Sequence, residues 1–103
     1  MESDVEIKKL IEMLEKTKAF CFDTETTGLD TLVADVVGLA FSWQEHTGYY
    51  VYISEGDEQK VIDMFNPLFS NEKITKVAQN IKYDMNVLLK YGMKLKGVFL
   101  IPC

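Results

Sequence analysis

The sequence predicts an α/β fold, a mixed sheet flanked by helices, and three observations carry that expectation. Apolar residues recur at helical spacing in three separate segments. Short runs rich in β-branched and aromatic residues alternate with them. The segments follow in the order helix, three strands, helix, strand, helix and one further strand candidate, an order that suits a sheet with helices packed against it. At 103 residues, 48% of them hydrophobic, the chain is at most one domain, or part of one, with enough apolar material for a modest core.

Each element has its own signal. Ser3 followed three residues later by Glu6 reads as a capping box. Ile7, Leu10, Ile11 and Leu14 then predict an amphipathic helix over 4–17. The run "AFCFDT" (19–24) is short, apolar and closed by the turn-forming "TTGLD", so it reads as a strand buried on both faces, with Cys21 inside it. "DVVGLAFSW" (35–43) and "GYYVYI" (48–53) flank "QEHT" and predict an antiparallel hairpin. Gly38 inside the first of these points to a bulge or a close backbone approach. Val61, Met64, Phe65, Leu68 and Phe69 have helical spacing interrupted by Pro67. That predicts a helix over 57–66 and a separate short turn from Pro67. "ITKVAQ" (74–79) reads as a strand. Asn80 then caps a helix with Ile81, Met85, Leu88 and Tyr91 on its apolar side and Gly92 closing it. "LKGVFLIP" begins one more strand.

The charge is unevenly divided. Residues 1–63 hold 14 acids and 5 lysines, a net of −9, whereas residues 64–103 hold 2 acids and 6 lysines, a net of +4. There is no arginine, hence no guanidinium fork for phosphate. A duplex-binding module is therefore disfavoured, and any nucleic-acid contact must rest on metal ions, backbone groups and lysines. The lysines at 73, 76, 82, 90, 94 and 96 are the ones able to steer a phosphate backbone, Lys82 first among them. No apolar run approaches a membrane span. The start "MESDVEIKKL" lacks a hydrophobic signal region, so the expectation is a cytoplasmic protein with no membrane contact. Cys21 and Cys103 fit a reducing compartment without a structural disulfide. His46, in the hairpin loop, reads as a solvent-exposed residue with no metal role.

Two acidic clusters carry the chemistry. Asp23 and Glu25 are two apart in a strand, so both project to one side at its carboxyl end. Carboxylates so close repel one another unless a cation lies between them, and hard divalent ions take oxygen ligands of this kind. Spacing alone decides little, since about a third of chains this long hold an Asp-x-Glu by chance. Solvated turn residues would also account for the pair. Position singles them out, because open sheets bind ligands beyond the carboxyl ends of their strands. The second cluster is "KVAQNIKYDMNVLL", in which Asp84 lies four residues after Asn80 on the same face of a first helical turn. The helix dipole is a sufficient structural reason for an acid there, and packing for Tyr83. Taken together, the three acids suit two divalent ions about 4 Å apart, one activating water and the other steadying a phosphodiester's leaving oxygen.

"FDTETTGLD", then "VGLAFS", then "KVAQNIKYDMNVLLKYGMKLKGV" closely resemble the 3′→5′ proofreading exonuclease domain of bacterial DNA polymerase I, a family A polymerase. The resemblance spans about Ala19 to Val98. It implies the DnaQ-like group and an RNase H-like fold, in which four acids hold two metals. Position by position, Asp23 matches the acid bridging both metals, Glu25 a ligand of the water-activating metal, and Asp84 the acid supporting the second. The resemblance further implies that Thr26 meets the 3′-terminal nucleotide and that Leu29 wedges against its base. Asn80 and Tyr83 match residues lining the groove for the single-stranded end. The implied cofactors are two Mg²⁺ or Mn²⁺ ions, and the implied partners are a single-stranded DNA 3′ end and a polymerase domain in the parent chain.

Two departures from the family pattern bear on activity. The third motif, a tyrosine and the fourth carboxylate, would follow well after "LKGV" and is absent here. The chain instead reads "FLIPC" where the family has a Phe-Asp-Thr-Met type segment. Residues 1–103 are thus expected to be the N-terminal portion of a single, truncated exonuclease domain, impaired alone, with apolar surface free for self-association. The alternatives are a non-catalytic structural module of a polymerase and a related exonuclease of the RNase D or Werner type. All three expected acids are present, and a scaffold has no chemical need for them.

Overall fold

The computed structural model describes residues 3–28, 30, 32–44 and 48–102. Helix α1 (Asp4–Glu15) is followed by β1 (Ala19–Thr26), β2 (Val36–Ser42), β3 (Tyr49–Tyr52), α2 (Glu58–Phe69), β4 (Thr75–Val77), α3 (Ile81–Lys90) and β5 (Phe99–Leu100). The strands form one mixed sheet in the order β3-β2-β1-β4-β5. β1 is central, antiparallel to β2 and parallel to β4, and β4 runs parallel to β5. The expected hairpin is the antiparallel pair β2–β3, with Leu39 opposite Val51. Leu29, His46 and Cys103 lie outside the described residues.

Local chemistry explains the ends of α1. The Ser3 hydroxyl oxygen accepts from Glu6 N–H at 3.2 Å, satisfying one of the free amides of the first turn. Ile7, Leu10, Ile11 and Leu14 are its buried stripe, as their spacing predicts.

α2 departs from expectation, since it runs unbroken through Pro67 to Phe69. A proline inside a helix removes one hydrogen bond and crowds the preceding turn, at about 3 kcal/mol. Stopping at residue 66 would leave Leu68 and Phe69 outside the helix that buries both completely. Two such side chains contribute about 1.5–3 kcal/mol each, so burial wins.

β1 is the larger correction. Its burial alternates, with Phe20, Phe22 and Thr24 inside and Ala19, Cys21, Asp23 and Glu25 exposed. The strand is buried on one face only, and Cys21 is an exposed free thiol. The inner face carries the core: Phe20, Phe22, Phe41, Phe65 and Phe69 join buried residues of all three helices in one cluster. Phe20 and Phe22 meet the Phe69 ring edge-on at centroid distances of 5.6 and 5.0 Å, an arrangement that adds to plain area burial.

Lys76 is also inside. Its ammonium donates to the carbonyls of Asn71 at 2.6 Å and Lys96 at 2.8 Å and lies over the Phe99 ring. Burial pushes its pKa down. It is therefore a tie between two loops, not a phosphate-steering lysine. Lys90 is likewise engaged, donating to the Ala34 carbonyl and facing Asp35 at 3.8 Å.

Gly92 has φ +78° just past the end of α3, the left-handed position that glycine adopts at lower cost than other residues. Among the described residues no helix is long and apolar enough to cross a membrane.

Candidate active site at the end of β1

The sheet order brings α3 back over the carboxyl end of β1. β4 lies beside β1 and leads directly into α3, whose buried stripe is Asp84, Val87 and Leu88. Asn80 caps this helix with its backbone, not its side chain: its carbonyl accepts from Asp84 N–H at 2.9 Å, and no side-chain cap bond forms. The Asn80 side chain stays exposed at the helix start.

Asp84 is 1% exposed. Its Oδ1 accepts from the Thr24 hydroxyl at 2.5 Å and from Thr24 N–H at 3.3 Å. Its Oδ2, also buried, has no hydrogen-bonding partner among the described residues. Burial raises the Asp84 pKa, the two bonds from Thr24 work against that rise, and the charge of Asp23 adds to it. The Asp23 pKa is raised first by partial burial and then by the neighbouring Glu25. Asp23 and Asp84 thus lie within electrostatic reach of each other.

Glu25 is met by a residue that spacing did not single out. The Tyr50 hydroxyl donates to Glu25 Oε2 at 3.2 Å. Tyr50 reaches it by lying across Gly38, where a Cβ would stand 1.8 Å from the phenolic oxygen. Gly38 is therefore the close approach expected from the sequence. It also adjoins an irregularity, since Glu25 pairs with Gly38 but Thr26 with Val36, leaving Val37 as the extra residue. Burial and the Glu25 charge both raise the Tyr50 pKa.

Tyr83 does more than pack. Its hydroxyl oxygen lies 2.7 Å from the Gly28 carbonyl oxygen, and that of Thr26 lies 2.6 Å from the same atom. The two hydroxyls also meet each other, so their two hydrogens are shared among the three contacts of one cluster. The far end of α3 holds the same segment, with Tyr91 accepting from Val36 N–H at 3.1 Å.

The structure therefore gathers Asp23, Glu25, Thr26, Tyr83 and Asp84 around the end of β1, with Asn80 at the adjoining helix start. It does not close the three acids into a cage: among the described residues, no three His, Cys, Asp or Glu side chains converge enough to hold a cation. Sequence reasoning missed Thr24 and Tyr50. Strand alternation was the available signal for Thr24, since a residue between two outward acids must face inward. Tyr50 had none, because its contact depends on the cross-strand register.

Comparison with known proteins bears on the family and the fold. The 3′-5′ exonuclease family of DNA polymerase A matches residues 1–102. DNA polymerase I of Borreliella burgdorferi is 40% identical over 94 residues, covering 85% of this chain and 10% of that protein. The chain spans about a tenth of the length of the curated relatives it matches. Among solved structures, Brucella melitensis NrnC with bound Mg²⁺ superposes with a TM-score of 0.67 at 23% identity, over 82% of this chain and 42% of that one. Trypanosoma brucei RNase D in complex with RNA U12 gives a TM-score of 0.76 at 15% identity, over 93% and 34% respectively. These two share the fold, which is the RNase H-like mixed sheet expected from the sequence. From its family match and its polymerase I relative, this chain belongs to the 3′-5′ exonuclease family of DNA polymerase A.

Proposed function

We propose that this chain is the N-terminal portion of a proofreading exonuclease domain whose chemistry is divalent-metal-dependent hydrolysis of phosphodiesters at single-stranded DNA 3′ ends. The observation that carries the reading is Asp84, a buried carboxylate with one oxygen bound by Thr24 and the other without a partner among the described residues, close to Asp23. The donor types suit a hard cation although their side chains do not converge as they stand: all are carboxylate oxygens, and among the described residues one buried oxygen lacks a donor. Asp23, Glu25 and Asp84 are the residues that would hold Mg²⁺ or Mn²⁺. When bound, such ions activate a water and stabilise charge on the scissile phosphate. The Mg²⁺ in the NrnC structure is consistent with this.

The chain's own groups supply positioning. Tyr83 and Thr26 fix the turn after β1, in whose sequence Leu29 would meet the terminal base. Asn80 lines the approach. Tyr50 orients Glu25. Because the resemblance places a further carboxylate and a tyrosine outside these residues, activity of the chain alone is expected to be weak. The remaining proposed partners are a polymerase domain in the parent, in the cytoplasm, and a second copy through the exposed sheet face.

The test is release of nucleotide from a labelled single-stranded 3′ end with Mg²⁺ or Mn²⁺, alongside Asp23→Ala and an RNA end of the same sequence. Slow, Asp23-dependent release that favours DNA is the expected result. Equal release by the variant would overturn the assignment. Faster release from RNA would move the substrate class to that of the RNase D neighbours.

A further inference from the structure

We infer that Thr24 is a positioning residue for Asp84, fixing the plane of its carboxylate so that one oxygen is held and the other is left for a ligand; this rests on the metal reading above. Thr24 supplies two donors, hydroxyl and backbone N–H, and both go to the same oxygen, Oδ1. A carboxylate can rotate about its terminal bond with little preference between orientations. Two donors on one oxygen remove that freedom and leave Oδ2 as the open site. Both residues are buried, Thr24 at 6% and Asp84 at 1% exposed, so water does not compete freely for Oδ1.

The placement follows from β1. Thr24 stands between Asp23 and Glu25, and its side chain points to the opposite face. One strand therefore presents two acids outward and holds the third through the residue between them. Of the common residues that fit that inward position, only threonine and serine offer a hydroxyl donor beside the backbone N–H; threonine's methyl also fills core space. Valine matches the volume and loses the donor.

Two substitutions separate positioning from packing. Thr24→Val keeps the buried volume and removes the hydroxyl, whereas Thr24→Ser keeps the hydroxyl and leaves a methyl-sized void. If Thr24 positions Asp84, Mn²⁺ affinity of the full chain falls about 10–100-fold in Thr24→Val, the usual loss for a residue that orients a metal ligand. It stays within about threefold of native in Thr24→Ser, although that variant is the less well packed. Thr24→Ala, which cannot overpack, carries the same expectation as valine if Thr24→Val does not fold. The measurements are Mn²⁺ titration by calorimetry and denaturant unfolding of the metal-free forms. Native-like affinity in Thr24→Val or Thr24→Ala overturns the role of Thr24 and leaves the metal reading standing. So does affinity that simply follows stability across the variants. Absence of Mn²⁺ binding by the unmodified chain is a different result, and it overturns both.

Discussion

A carboxylate buried as Asp84 is opposes folding in its charged form, and Asp23 does so more weakly at the strand end. Both folded-state pKa values lie above the ordinary 3.8. For a raised acid, the folded state binds the extra proton. The contribution is most favourable below the unfolded pKa, declines as pH rises from there through the raised folded value, and is constant above it. Metal-free protein with Asp84→Asn is therefore expected to unfold at higher denaturant concentration at pH 7, with a flatter pH dependence above pH about 4. A lower midpoint would show that Asp84 is held by more than Thr24. Lys76 presents the opposite case, a buried charge whose hydrogen bonds are the reason it is tolerated. Lys76→Met keeps the stem but removes the ammonium from the Lys96 carbonyl and leaves that of Asn71 with the Ile74 N–H at 3.3 Å. Losing a donor from one part-buried acceptor costs about 1–3 kcal/mol, so a loss of about 1–2 kcal/mol in equilibrium unfolding is expected. An unchanged stability would rule out the tie between the two loops.

Among the elements, α2 holds a removable defect. Pro67 leaves the Asp63 carbonyl without its helical donor, while Phe65, Leu68 and Phe69 keep the helix in place. Pro67→Ala is expected to stabilise by about 1–2 kcal/mol, part of the ~3 kcal/mol interior penalty being offset by greater freedom of the unfolded chain. That corresponds to a rise in melting temperature of about 4–8 °C per kcal/mol. A lower melting temperature would mean that the proline itself serves the packing. β2 carries the complementary constraint at Gly38. Gly38→Ala would force the Tyr50 ring, with its phenolic carbon 2.3 Å from the new Cβ, off its place beside Glu25. The displaced group is the far end of a side chain, so the expected loss of stability is moderate, about 1–2 kcal/mol.

For the whole molecule, local signals and global packing were legible to different degrees. α1 was readable because Ser3, Glu6 and four apolar residues all point to the same element. The hairpin was readable because two β-rich runs flank a short polar loop. α2 was misjudged because the local rule at Pro67 is overridden by burial of Leu68 and Phe69, a contact with the sheet that no window of sequence contains. β1 was misjudged for a related reason: "AFCF" reads as apolar throughout, yet Ala and Cys are small enough to stand on an uncovered face. At the site, residue types identified Asp23, Glu25 and Asp84, whereas Thr24 and Tyr50 depend on which side of the sheet each faces. The uncovered face, which includes Ala19, Cys21 and Leu100, has a measurable consequence. In a Cys103→Ser background, Cys21 of the dilute native protein is expected to react with a thiol reagent at close to the rate of an unfolded control. Protection that grows with protein concentration, matched by a mass increase in sedimentation equilibrium, would indicate pairing through this face. A thiol already unreactive at high dilution would contradict its exposure.

The alternation along β1 also limits how this protein can change over time. Phenylalanines that build the core and acids that carry the chemistry occupy interleaved positions of one strand. Deleting or inserting a single residue within this strand would reverse the facing of every residue on one side of the change, turning either Asp23 and Glu25 toward the core or Phe20 and Phe22 away from it, unless a bulge absorbs the step. Core and site are therefore tied to one register of one strand.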